Sequence, residues 1–133
     1  MTPRREFQLP AEDEAFLIDY GLQWETIVNG SPWVLLHEFP THAGYNHQRV
    51  AAAIRIETGY PHAELHMVYF FPALARIDGR TIGATQSTQQ IDGKNFQRWS
   101  RHRSPQNPWK IGQDNLGSHI ILIEDWLERE FRK

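Results

Sequence analysis

Cysteine is absent from this 133-residue chain. That absence excludes disulfides, thiolate metal sites and any thiol nucleophile. No stretch comes near the roughly 18–20 consecutive apolar residues that a membrane-spanning helix requires. The opening "MTPRREFQLPAEDE" carries two Arg with no apolar run behind them, so no signal peptide is expected there. A surplus of one charge sign is also missing: 14 Lys and Arg against 16 Asp and Glu leave a formal net charge of −2. Such a balance speaks against bulk electrostatic attraction to nucleic acid or to a membrane surface. The expectation is a cytoplasmic protein with neither as a partner.

Aromatic side chains are plentiful, with five Trp and seven Phe in a chain that is 40% hydrophobic. Each large ring buries about 150–250 Å², so the composition supports one packed core, and residues 1–133 are taken as a single domain. The segment "LPAEDEAFLIDYG" reads as a short helix, with Pro10 at its start, acids in its first turn and Gly21 to close it. "LQWETIV" and "PWVLLHEF" flank Asn29-Gly30, a hairpin signal because both residues accept positive φ. "RVAAAIRIE" places Val50, Ala52, Ile54 and Ile56 on one face of a strand. "ELHMVYFFP" is apolar on both faces and reads as a central strand, and "ARIDGRTI" as a small hairpin around Asp78-Gly79. Residues 83–95 read as a polar surface loop, after which "FQRWSRH" resumes a strand pattern. The last element is a helix with Leu116, Ile120, Ile123 and Leu127 on one stripe and Asp114 as its N-cap. The order predicts an α+β domain built on an antiparallel meander of about four strands.

Three chemistries compete for the polar residues. Seven His invite a metal, yet His62 and His66 sit at a strand start, His42 and His47 in a loop, and no HExxH spacing occurs, so no metal site and no cofactor are expected. Arg98, Arg101, Arg103 and Lys110 interleave with Phe96, Trp99 and Trp109, a composition that suits single-stranded nucleic acid; the acidic balance outweighs it. The competing structural account packs these Trp into the core and gives the Arg nearby carboxylates. The catalytic account takes Ser100 and His102: in extended backbone, residues two apart share a face, which puts a hydroxyl beside the base it needs.

Several of these segments together resemble a known family. "GYPHAELHMVYFFP" is similar to the Tyr-Pro turn and central strand of ubiquitin-conjugating enzymes, and "NPWKIGQDNLGSHIILIEDWL" to their Trp-containing turn and following helix. "LPAEDEAFLIDYGLQWE", "GYN", "GYP" and "FQRWSRH" resemble the prokaryotic branch called family E, over nearly the whole chain. The resemblance implies a ubiquitin-conjugating-enzyme-like fold: N-terminal helix, antiparallel meander, active-site segment, C-terminal helix. It also implies a ubiquitin-like protein and its activating enzyme as partners, with a JAB-type peptidase in the same pathway. The family's usual nucleophile is a Cys a short stretch before the Trp; here Ser100 lies nine residues before Trp109. The family's His-Pro-Asn motif is replaced by "ATQSTQQID". Two functional readings follow. Ser100 carries the ubiquitin-like C-terminus as an oxyester, with His102 as base, or the domain is a silent adaptor. In either, Arg98, Arg101, Arg103 and Trp109 are the expected partner-binding residues.

Overall fold

The computed structural model describes residues 2–133. Helix α1 (Ala11–Tyr20) is followed by β1 (Trp24–Asn29), β2 (Ser31–Pro40), β3 (Arg49–Arg55), β4 (Val68–Phe71), β5 (Thr88–Ile91) and β6 (Lys94–Trp99). Helix α2 (Leu116–Arg129) and a short 3-10 turn (Glu130–Arg132) complete it. All strands lie antiparallel in one sheet of order β1-β2-β3-β4-β6-β5. This is the α+β architecture the element order implied, with six strands in place of about four and β5 at the edge beyond β6.

Period-two patterning builds the core. Val34, Leu36, Val50, Ala52, Ile54, Val68, Phe70 and Trp99 face the helices, where Leu17, Leu116, Ile120, Ile123 and Leu127 meet them. The expected α2 stripe is thus the buried one. The Phe16 ring rests on α2 at Gly117, where an added Cβ would come within 2.8 Å of the ring. Gly21 closes α1 with φ 90° and donates its N–H to the Leu17 carbonyl. Pro10 precedes the first turn and supplies no side-chain cap.

The opposite face of the sheet has its own cluster, in which Ile27 and Trp33 join Tyr69, Ile91 and Phe96. Strands at opposite ends of a flat six-stranded sheet would stand about 24 Å apart, at ~4.8 Å per neighbour. Here the Asp92 N–H donates to the Asn29 side chain at 2.5 Å. Arg4 bonds Glu25 of β1 at 2.9 Å and Asp92, after β5, at 2.8 Å. The sheet therefore curls until its two ends touch through side chains.

Four expectations are corrected. The supposed loop at 83–95 contains β5 and joins β6 through Asp92-Gly93, whose φ values are 53° and 77°. Its polarity reflects an edge strand that buries only Ile91. The "ELHMVYFFP" strand shrinks to Val68–Phe71, because Met67 takes a positive φ of 57° and Pro72 cannot donate to the ladder. No hairpin forms at Asp78-Gly79; a lone bridge joins Tyr45 to Arg76, and Asp78 accepts from Arg76 and from the Arg80 N–H. The cap of α2 is Asn115, in a reciprocal box with Ser118. Asp114 instead accepts from the Lys110 N–H and the Ser118 hydroxyl and faces Arg103.

Candidate active-site segment

The end of β6 is fixed from below. Trp99 is fully buried, and its indole N–H donates to the Gln97 side chain at 2.9 Å. Gln97 in turn bonds both backbone groups of Leu74. Phe70 meets the Trp99 ring edge-on at 5.3 Å and Tyr45 at 6.0 Å. Regular pairing ends at the Val68–Trp99 register, so Ser100 through Arg103 leave the sheet as irregular chain, which corrects the expected strand through His102 and its shared face for Ser100 and His102.

That chain is still anchored on both sides. The Ser100 N–H donates to the Ala84 carbonyl at 3.0 Å, and the Arg101 carbonyl accepts from Met67 N–H at 3.1 Å. Ser100 is half-buried and His102 exposed. Among the described residues no hydrogen bond engages the Ser100 hydroxyl, and none joins it to the His102 ring. Catalytic contacts are often open before substrate binds. The His102 ring instead lies against His66, with centroids 5.7 Å apart. A pocket of about 100 Å³ opens at His102, lined by Ser104, Asn107, Leu122 and Trp126.

The basic residues divide. Arg101 places its guanidinium 4.9 Å from the Trp99 ring centroid, bonds Gly83 O at 2.9 Å and pairs with buried Glu130 at 3.2 Å. Arg103, its side chain 6% exposed, sits between Asp114 at 3.5 Å and the Trp109 ring at 5.0 Å. Both face inward, as the structural account of the Arg residues required. Arg98 bonds the Ser87 hydroxyl at 3.2 Å on the other face of β6. Trp109 packs on Tyr60 and donates its indole N–H to Pro61 O at 3.2 Å.

The sequence reading gave no site role to two buried ionisable groups on the helices, His119 and Asp13. His119 is fully buried on α2 and hydrogen-bonds the Met67 carbonyl through Nε2 at 2.9 Å. A carbonyl only accepts, so that nitrogen carries the proton. Its Nδ1 has no partner, and burial pushes the ring down to about 4. The signal was its place on the α2 stripe, three residues after Leu116. Asp13 is 1% exposed on α1. It accepts from Tyr60 OH at 2.6 Å, and the same hydroxyl accepts from Leu116 N–H at 2.7 Å. Burial raises the Asp13 carboxyl above its ordinary range, against that hydrogen bond. Among the described residues no cluster of three or more His, Cys, Asp or Glu could hold a metal ion, and no helix is long and apolar enough to cross a membrane.

An N-terminal helix, a curled antiparallel sheet, a long segment leaving the last strand and a C-terminal helix define a ubiquitin-conjugating-enzyme-like domain. The model of prokaryotic E2 family E matches residues 9–130, and the chain belongs to that family. No curated protein and no solved structure matches it. Membership supports an E2-like role in a prokaryotic ubiquitin-like pathway, in which the chain meets a ubiquitin-like protein and an activating enzyme.

Proposed function

We propose that this chain takes the C-terminus of a ubiquitin-like protein from its activating enzyme as an oxyester on Ser100. The observation that carries the reading is the state of that hydroxyl: it stands where the irregular segment leaves β6, committed to no internal hydrogen bond, with an imidazole two residues on. In the step, Ser100 Oγ forms a bond to the acyl carbon of the activating enzyme's thioester and the C–S bond breaks. His102 takes the hydroxyl proton and returns it to the departing thiolate. An oxyester has a poor leaving group, so the adduct is long-lived and discharges slowly to amines. Arg101 and Arg103 hold the segment in shape, while Arg98 and Trp109 lie nearer its outer side and contact the partner. On this reading the chain works in the cytoplasm of a bacterium, with a JAB-type peptidase in the same pathway.

The adaptor reading draws on one observation, the missing Ser100–His102 hydrogen bond. In that case Arg98 and Trp109 are binding anchors alone. Incubation with the cognate activating enzyme, ubiquitin-like partner and ATP separates the two. Intact mass is expected to show a hydroxylamine-labile adduct that Ser100→Ala abolishes. Binding without any adduct, or an adduct that survives Ser100→Ala, removes the carrier reading.

A further inference from the structure

Residues 64–67 lie beside the 100–103 segment ahead of β4 and carry two ionisable side chains, Glu64 and His66, that the carrier reading leaves without a role. Because Met67 N–H still reaches the Arg101 carbonyl beyond the last ladder pair, His66 and His102 come to lie side by side. Their rings meet edge to face at 5.7 Å. Behind His66, the Glu64 carboxylate stands 3.6 Å from Nε2. The Glu64 and His66 side chains are 39% and 31% exposed, which leaves them reachable.

The neighbours limit what else can serve this end of the segment. Arg101 is tied to Glu130 and Gly83, and Arg103 to Asp114 and the Trp109 face. His119, which feels both Arg103 and His66, has its Nε2 proton committed to Met67 O. Of these groups, only Glu64 and the imidazoles of His66 and His102 are free to rearrange around a reacting hydroxyl.

We propose that His66, backed by Glu64, is a positioning residue for His102; the inference rests on the reading that Ser100 is acylated. An exposed imidazole on irregular backbone loses rotamer freedom before it can act as a base. The ring-on-ring contact supplies that restriction in advance. The Glu64 carboxylate, 3.6 Å from His66 Nε2, in turn holds the far side of that ring. The arrangement assigns the orienting role, which a base requires from a third group, to a loop that precedes β4.

The test uses the whole chain and a minimal acyl donor, the phenyl thioester of acetylglycine, with Ser100 acylation followed by intact mass and peptide mapping. His66→Ala is expected to lower the limiting acylation rate by about tenfold to a hundredfold with the half-saturating donor concentration unchanged. Added imidazole restores part of the rate, which a merely structural role would not allow. Glu64→Gln, a change at an exposed side chain, lowers the same limiting rate by a smaller factor. Ring-to-ring nuclear Overhauser contacts between His66 and His102 are expected in the parent protein. Acylation of Ser100 at an unchanged limiting rate in both variants overturns the role of His66 and leaves the carrier reading standing. No acylation of Ser100 in the parent protein removes that reading and this role with it.

Discussion

A single buried carboxyl gives the sharpest test of the packing between the two helices and the Tyr60 turn. Asp13 has one oxygen bonded to Tyr60 OH and the other without a partner. Its folded pKa is raised, chiefly by burial. The folded state therefore holds the proton more tightly than the unfolded chain does. The stability it contributes is full below the ordinary value of 3.8 and is lost as pH rises through the raised one. Asp13→Asn keeps an acceptor for Tyr60 and removes the charge. Thermal melts from pH 5 to 8 are expected to show a flatter pH slope for the variant than for the parent, because the titrating carboxyl is gone.

At the scale of elements, the α1–α2 crossing depends on Gly117. Alanine favours a helix interior by about 1 kcal/mol over glycine. Here its Cβ would press within 2.8 Å of Phe16, and crowding of this kind costs about 1–3 kcal/mol. Gly117→Ala is expected to lower the melting temperature despite its better propensity, and Gly117→Ala with Phe16→Leu to recover most of it. The elements also show why some of the fold was legible in the sequence. Helix α2 was readable because its apolar stripe repeats at helical spacing, and the β1–β2 hairpin because Asn29-Gly30 is a local turn signal. The same signal at Asp92-Gly93 lay inside a segment dismissed for polarity, although a solvent-facing edge strand needs little apolar content. Met67 delayed the start of β4 through a backbone conformation that no residue pattern encodes. In the candidate site, Ser100 and His102 are sequence neighbours and could be paired on paper. His66 meets His102 only because β4 and β6 are adjacent, a long-range fact.

For the whole molecule, acid is the weak direction. Glu25 is 4% exposed, and hydrogen bonds from Arg4, working against burial, lower its carboxyl to about 2. A depressed carboxylate stabilises the fold above its ordinary value of 4.5 and loses that contribution as pH falls toward about 2. His119, depressed by burial, acts in the same direction between 6.5 and about 4. Arg4→Ala is expected to cost about 1 kcal/mol at neutral pH, a low figure because the Arg4 side chain is 39% exposed. The gap between variant and parent should narrow in melts toward pH 2. Hydrogen exchange should quicken at Ile91 and Phe96 while Ile120 and Ile123 keep their protection; equal acceleration at all four sites would show that the ends of the sheet do not open separately.

Arg4 and Asp92 stand 88 positions apart in the chain yet share two hydrogen bonds. The curled sheet is thus held like a bracelet by its fastener. Unclasping it would bare Trp33 and Tyr69 to water, so the fluorescence of an indole on that face of the sheet would report the state of a single arginine.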